Sequence, residues 1–423
     1  MTKTLQKCFY LLLMSMMVAS IHSVAQTADF SCVGFGAATT GGTGGTEVTV
    51  TSLAQLISEA GSAGKKIIKI NQTIEASGTI IEVSSDKTIL GVGNQAFLKG
   101  IGFHLKNVNN VIIRNVKMTM IGGGADDIIG GETTGSSTGG NYWIDHCEFY
   151  NEYPTLPETA AKKDKYDGIL DFKQQVSKIT ISWCYIHDHW KCSLIGFSTD
   201  KDPYDRKITY HHNWFKNIKS RAPSYRAGTA HVYNNYYEGL NDPNSPTSEG
   251  VHSRDAACLY VEGNYFLNYA KSVYWFIDDS PTEAFVNESG VANKYVNSPA
   301  NTARACTSFK PPYTVKVDVA DDVPAIVQKY AGIGKLDGTA VIKPVEKHHG
   351  SFSFSKVGTT AEVYLPSGNV SVITVFDVSG RKLMEQISKS SKVTLNMAGM
   401  SRGIYLICVA YKSETMQQRI VIN

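Results

Sequence analysis

Short runs in which apolar and polar residues alternate recur along the middle of this chain. They are Val111-Ile-Ile-Arg-Asn115, Tyr142-Trp-Ile-Asp-His146, Ile179-Thr-Ile-Ser-Trp183, Ile208-Thr-Tyr-His-His212, Ala230-His-Val-Tyr-Asn234 and Cys258-Leu-Tyr-Val-Glu262. Alternation with period two is the mark of a strand with one buried face. Most runs are soon followed by a large apolar or aromatic residue: Phe149, Ile186, Phe215, Tyr236 and Phe266. The runs lie roughly twenty to forty residues apart, without the tight turns of hairpins between them. That pattern predicts the coils of a parallel β-helix, in which each coil lays a strand on the one before and all share one core. Irregular spacing then means insertions in the loops of one face. A β-sandwich or a propeller accounts for the strands but not for the missing hairpins.

Two stretches carry helical periodicity. One runs from Leu53 to Ala60. The other runs from Asp322 to Gly332, with Val323, Ile326, Val327 and Tyr330 on one face, placed to close a stack of coils. Between Gly34 and Gly45 the chain is rich in Gly and Thr, but it lacks the GK[ST] ending of a phosphate loop. From about Gly350 the pattern changes to short strands broken by Gly, Ser and Asn: Val363 to Leu365, Val370 to Phe376, Val393 to Leu395, Gly403 to Ala410 and Arg419 to Ile422. These predict a small β-sandwich.

The first twenty-five residues read as an export signal. Lys3 and Lys7 precede an apolar core from Phe9 to Ala19, and Ser23-Val24-Ala25 offers small residues for cleavage. The apolar stretch is too short for a stable transmembrane span. The expected division is therefore a signal at 1–25, a β-helix domain at 26–336, a linker at 337–350 and a C-terminal domain at 351–423. A net charge of +3 on 423 residues is too small to argue for nucleic acid or a membrane surface. Removal of Cys8 with the signal leaves seven scattered cysteines and no CxxC pair. Cys147, Cys184 and Cys258 fall at apolar positions of strand-like runs and are expected to be buried thiols. Export permits a disulfide, but no pairing follows from the spacing.

Local charge carries more information. Arg221-Ala-Pro-Ser-Tyr-Arg226 places two arginines five positions apart across a proline, downstream of Lys191 and of Asp167-Gly-Ile-Leu-Asp171. Two arginines and a lysine suit a polyanion. Paired aspartates suit a hard cation that prefers oxygen ligands. Four extended residues span about 13 Å, so Asp167 and Asp171 cannot meet one ion on a straight strand. A turn at Asp167-Gly168 is expected, with Gly168 permitting it. The histidines His187, His189, His211 and His212 are better read as members of stacked polar ladders than as a zinc site. Asn213, Asn234, Asn235 and Asn264 fit such ladders at coil turns. Trp190 and Tyr225 suit either sugar stacking or the core.

Several motifs, in order, resemble the pectate lyases of polysaccharide lyase family 1: Trp143-Ile-Asp-His146, Asp167-Gly-x-x-Asp171, Ile179-Thr-Ile-Ser182, His189-x-Lys191 with Leu194-Ile-Gly196, His212-Asn213, Arg221-x-Pro-x-x-Arg226 and His231-Val-Tyr-Asn-Asn235. The resemblance covers about Gly34 to Leu336. It implies an all-β, right-handed parallel β-helix and a secreted, Ca²⁺-dependent enzyme. Such an enzyme cleaves de-esterified polygalacturonate by β-elimination and leaves 4,5-unsaturated ends. By the same resemblance, Arg221 is the catalytic base, Lys191 and Arg226 contact substrate carboxylates, and Asp167 and Asp171 hold calcium. Arginine ordinarily stays protonated; surrounding positive charge is what would favour its neutral form. A third ligand is expected in Asp126-Asp127-Ile-Ile129. The family pattern of an outward acid before an inward apolar residue selects Asp127, with Asp126 as the alternate. Asp145 matches a structural acid.

The last seventy or so residues resemble a type IX secretion sorting domain. The resemblance rests on Val375-Phe-Asp-Val-Ser-Gly-Arg381, Gly403-Ile-Tyr-Leu406 and Arg419-Ile-Val-Ile422. It implies contact with the sorting machinery and a secreted or cell-surface location, and a monomer is expected. The competing functions are a pectin lyase on esterified polymer, a β-helix polygalacturonase and a noncatalytic pectate-binding β-helix. Retained Asp167 and Asp171 argue against the first, and a missing Arg-Ile-Lys motif against the second. The complete set of cationic and acidic groups argues against the third.

Overall fold

The computed structural model describes residues 28–122, 127–197, 205–275, 285–300, 304–305 and 309–336, with most of the strands between 353 and 422. The signal at 1–25, the linker at 337–350 and Asp126 lie outside the described residues. The chain divides into two compact units, Met1–Val345 and Glu346–Asn423. Among the described residues no helix is long and apolar enough to cross a membrane.

The first unit is a stack of coils. All six alternating runs enter one eleven-stranded sheet, where Asn109–Arg114, Gly139–Asp145, Val176–Ser182, Lys207–His211, Thr229–Tyr233 and Cys258–Glu262 lie side by side. Every pairing among them is parallel. The other strands of each coil form a fifteen-stranded sheet. It forks at Phe97–Lys106, whose first half pairs with Lys117–Thr119 and whose second half pairs with Ile129–Glu132. Each complete coil therefore has three strands around one core, which is a parallel β-helix.

Between the first and second strands of successive coils, the chain turns through Asn115, His146, Trp183, His212, Asn234 and Gly263, all with φ between 50° and 61°. Asn and Gly tolerate this left-handed region, whereas His and Trp accept some strain there. The next residue of the turn faces inward. In later coils it is Asn213, Asn235, Asn264 and Asn293, and the side-chain amide of each of the first three donates to the next Asn Oδ1 at 2.9–3.0 Å. In earlier coils the same place is taken by Cys147 and Cys184, both free and buried. The Asn213 Oδ1 accepts from the Cys184 N–H at 3.0 Å, which ends the polar ladder. Asn234 stands one place outside it and donates to Gly263 O and Asp318 O.

The interior aromatic ladder runs Phe149, Ile186, Phe215, Tyr237, Phe266 and Tyr295 in register. Tyr237 is the inward residue, not Tyr236, which pairs with Trp214 on the outer side. The helix Val323–Tyr330 lies over that outer side. It buries Val323 and Val327 with Tyr236 and packs near Trp214 and Tyr265. It flanks the coils and does not close their end. The end is covered instead by the helix Leu53–Gly61, which sends Leu56 and Ala60 into the main core and is capped by Ser52. The Gly-rich segment lies against the first sheet. A Cβ on Gly36 would meet the Thr180 N and Tyr142 O at 2.7 Å, so only glycine allows that approach.

Cys258 is disulfide-bonded, which corrects the expectation of a thiol there. Its run has the alternation of a core strand, and alternation alone does not separate a thiol from half of a disulfide.

The second unit holds two antiparallel sheets. One contains Ser353–Val357, Thr360–Tyr364 and Lys392–Asn396. The other contains Lys382–Ser388, Ser371–Asp377, Gly403–Tyr411 and Glu414–Ile422. Val363, Ile373, Val375, Val393, Leu395, Ile407 and Val409 form its core. Lys382–Ser388 escaped the sequence reading because most of its residues are exposed, so no apolar stripe marks it. Leu365 and Val370, expected at strand ends, lie outside the described residues.

Candidate active site

One face of the fifteen-stranded sheet is built by Ile129–Glu132, Leu170–Phe172, Leu194–Ile195, Ser224–Arg226 and Ser248–Arg254 in parallel register. Phe172, Ile195 and Tyr225 form one register row, and they are fully buried. Their neighbours on the opposite face of the strands include Asp171, Ser224 and Arg226.

Asp171 sits on the strand Leu170–Phe172 and is only 2 % exposed. Its Oδ1 accepts the Leu194 N–H at 2.8 Å. Burial pushes its carboxyl well above the usual range, and the nearby charge of Asp127 pushes the same way, against the pull of Arg221. Asp127 is 8 % exposed. Its Oδ1 accepts the Gly168 N–H at 3.0 Å, and its Oδ2 lies 3.5 Å from Lys173 Nζ. Burial raises its carboxyl too, with Lys173 opposing and Asp167 adding to the rise.

The role expected for Gly168 is corrected by this geometry. The chain bends at Ile169, one residue later than the turn expected at Asp167-Gly168. What glycine supplies at 168 is room. A Cβ there would stand 2.3 Å from Oδ1 of Asp171. The Asp171 carboxylate folds back against the Gly168 backbone, and this brings it toward Asp127 without any left-handed residue.

Asp167 presents its Oδ1 to Lys191 Nζ at 3.0 Å. Its backbone carbonyl is held by His189 Nε2 at 2.7 Å. Burial lowers the pKa of His189 to about 4, so the neutral ring donates from Nε2 and its Nδ1 faces the Asn151 amide at 3.2 Å. Lys191 ends the strand Tyr185–Lys191, and its ammonium also lies 3.1 Å from Asp164.

Arg221 lies just before the strand Ser224–Arg226, with φ 63° and a cis bond at Ala222-Pro223. Its carbonyl accepts the Ser193 N–H at 2.7 Å. That anchors the base of a half-buried side chain whose charge is felt at Asp171 and at Tyr274. Arg226 lies farther along the same strand. Its Nε is 3.0 Å from Asp255 Oδ2, and only 6 % of its side chain is exposed. Its backbone carbonyl accepts from Nη1 of the fully buried Arg206 at 2.9 Å.

Thus Asp127, Asp167, Asp171, Lys191 and Arg221 come together, while Arg226 shares the strand but is paired with Asp255. Lys173 belongs with the first group and was missed in the sequence. Burial works against its charge, yet Asp127, Asp171 and Asp167 hold its pKa above the ordinary lysine value. The available signal was its position two residues after Asp171, a spacing that in extended chain puts both side chains on one side. A cleft of about 200 Å³ opens beside Asp127 and Lys173, lined also by His104 and Glu132.

The donor set fits a hard divalent cation. Two buried carboxylates lie close enough for the charge of Asp127 to act on Asp171, both offer oxygen, and glycine at 130 and 168 leaves space that a Cβ would take. Among the described residues no three acids or histidines are yet drawn tightly enough to hold an ion. The carboxylate of Asp167, expected as a ligand, is turned to Lys191.

The other candidates are engaged elsewhere. His187 stacks between Tyr150 and Tyr185 at 4.8 and 4.2 Å. His211 and His212 lie against each other beside Trp183 and Tyr233. Trp190 and Tyr225 are buried in the protein, with the Tyr225 hydroxyl bonded to Arg206 O and Thr229 O. Asp145 is fully buried among Arg114, His146 and Ser182.

A family model described as pectate lyase matches residues 8–336. A model described as a secretion system C-terminal sorting domain matches residues 359–423. The chain is 40 % identical over 322 residues to a pectate trisaccharide-lyase of Bacillus licheniformis, covering 73 % of this chain and 88 % of that protein. It is 39 % identical over 252 residues to pectate lyase A of Emericella nidulans, covering 59 % and 72 %. Among solved structures, a pectate lyase from a Bacillus species in complex with trigalacturonate superimposes with a TM-score of 0.63 at 31 % identity. That match covers 72 % of this chain and 100 % of the other. Pectate lyase II of Xanthomonas campestris superimposes with a TM-score of 0.58 at 27 % identity, covering 72 % and 98 %.

Proposed function

The chain belongs to the pectate lyase family, and we propose that it is a calcium-dependent lyase of de-esterified polygalacturonate in which Arg221 is the base. The observation that carries this reading is the buried carboxylate of Asp171, which feels the charges of both Asp127 and Arg221, beside the likewise buried Asp127. The C-terminal sorting domain marks the protein for type IX secretion, so the polymer is met outside the cell or at its surface.

Galacturonate has an acidic hydrogen at C5, beside its carboxylate, and a glycosidic oxygen at C4. Lys191 and Arg226 engage substrate carboxylates, Lys191 as a point charge and Arg226 as a planar fork. Arg226 must exchange part of its contact with Asp255 to do so. Asp127, Asp171 and a reoriented Asp167 would hold Ca²⁺, which neutralises the carboxylate and stabilises the enolate-like charge that develops. Arg221 takes the C5 proton. The electrons of the C5–H bond become the C4=C5 double bond, and the C4–O pair leaves with the departing sugar, whose oxygen takes a proton from solvent. No water adds across the bond. The new non-reducing end is 4,5-unsaturated and absorbs in the near ultraviolet.

The test is to incubate the protein with polygalacturonate and Ca²⁺ at alkaline pH and follow near-ultraviolet absorbance with and without chelator. A rise that chelator abolishes is expected. Reducing ends without absorbance, or a rise indifferent to chelator, would overturn the reading. Parallel rates on methyl-esterified polymer should be much lower, because an ester offers Lys191 no charge.

A further inference from the structure

Lys191 is shared between two carboxylates. Its ammonium is 3.0 Å from Asp167 and 3.1 Å from Asp164, and only 10 % of its side chain reaches solvent. Asp167 is among the proposed cation ligands. Asp164 is not, and 55 % of its side chain is exposed. An ion pair this exposed contributes little to folding, yet its placement is tightly built.

Asp164 follows the one-turn helix Ala160–Lys163, and its N–H closes that helix on Ala160 O at 2.8 Å. Thr159 caps the other end through the Lys162 N–H. Lys162 Nζ then ties the helix to the Thr155 hydroxyl at 3.1 Å and to Leu156 O at 2.9 Å. The Leu156 N–H donates to Asn244 O at 2.7 Å, in the loop before the strand Ser248–Arg254. The whole segment is thereby fixed so that a free carboxylate meets the cation that a uronate needs.

We propose that Asp164 is a built-in competitor for substrate, holding Lys191 until a galacturonate carboxylate displaces it. This rests on the reading of Lys191 as a substrate contact. Once displaced, Asp164 turns to solvent and touches no reacting atom, so it acts on binding and not on the chemical step. Only a charged group competes well for the ammonium, which favours uronate over its ester. Freeing a partner held by an exposed ion pair should tighten binding about two- to fivefold. Salt should shrink the gain, because the pair is near the surface.

The experiment uses the full chain at fixed saturating Ca²⁺ with Asp164→Asn. KM for polygalacturonate should fall about two- to fivefold at low ionic strength, with kcat retained and the gain reduced at high salt. In a Lys191→Ala background the same substitution should no longer lower KM. Calorimetric titration of trigalacturonate into Arg221→Lys and Arg221→Lys/Asp164→Asn proteins reads the same gain without turnover. An unchanged or raised KM in an active enzyme overturns the competitor role, as does a gain that survives Lys191→Ala. A wild-type protein without lyase activity removes the underlying reading, and the competitor with it.

Discussion

Replacing Gly168 by alanine isolates the steric demand at the centre of the site. The new Cβ would stand 2.3 Å from Oδ1, 2.5 Å from Cγ and 2.6 Å from Oδ2 of Asp171, where ordinary contact begins near 3.4 Å. The carboxylate must retreat by about 1 Å to relieve the overlap. Its Oδ1 is held by the Leu194 N–H at 2.8 Å, and a retreat of that size takes the pair out of hydrogen-bond range. The lost bond and the overpacking together cost about 2–4 kcal/mol of stability. Displacement of a proposed ligand should weaken calcium binding about 10–100-fold and lower turnover about 100-fold at limiting calcium, with partial recovery as calcium is raised. Gly61→Ala is the control, because its Cβ would meet nothing closer than 3.6 Å. The assay is initial absorbance rate against calcium concentration, paired with thermal melting in chelator. A Gly168→Ala protein with an unaltered calcium dependence would refute the reasoning, even if it melted lower.

Arg221→Lys should leave melting within a few degrees of wild type and abolish turnover, since the ammonium cannot reproduce the reach of the guanidine; a kcat within tenfold of wild type would remove Arg221 as the base. The raised carboxyls of Asp127 and Asp171 mean that the calcium-free folded chain keeps protons which the unfolded chain has released. Its stability from this pair therefore falls as pH rises from the ordinary aspartate value through the raised one. Calcium needs the ionised forms, so its increment in melting temperature should be larger at about pH 8 than at about pH 5; an increment equal at both, or larger in acid, contradicts this. Asn235 receives the N–H and amide of Asn213 and donates to Tyr210 O, Tyr233 O and Asn264 Oδ1. Asn235→Ala strands several buried polar groups and should cost about 3–5 kcal/mol by denaturant unfolding, while KM well below the melting point stays unchanged.

The coil strands were legible because period two survives wherever one face of a strand is buried, and a stacked coil repeats that condition at every turn. Asn213, Asn235 and Asn264 were legible as a ladder for a related reason: an inward amide at a left-handed turn satisfies its polar groups only against a neighbour of the same kind. The alternation fails where both candidates are large and apolar. Tyr236 and Tyr237 are adjacent aromatics, and only the pairing with Trp214 and Phe215 decides which enters the core. It fails again for Cys258, where alternation does not reveal the bond at sulfur.

The site divides along the same line. Asp171 and Arg226 both sit on strands; the strand of Asp171 could be reasoned from its spacing to Asp167, whereas Arg226 was placed by the family resemblance alone. The meeting of Asp127 with Asp171 instead depends on an absent side chain at Gly168. The attachment of Asp164 to Lys191 depends on a one-turn helix in an inserted loop. Neither has a periodic signature. The sequence reading assigned Gly168 to conformational freedom because glycine is usually needed for φ; in the folded chain it is needed for volume. That difference has a consequence for function. A conformational glycine tolerates asparagine in part, because asparagine also visits the left-handed region. A steric glycine tolerates no side chain at all. Gly168→Asn should therefore damage calcium dependence at least as severely as Gly168→Ala, and an asparagine variant more active than the alanine one would return the role of this residue to the turn.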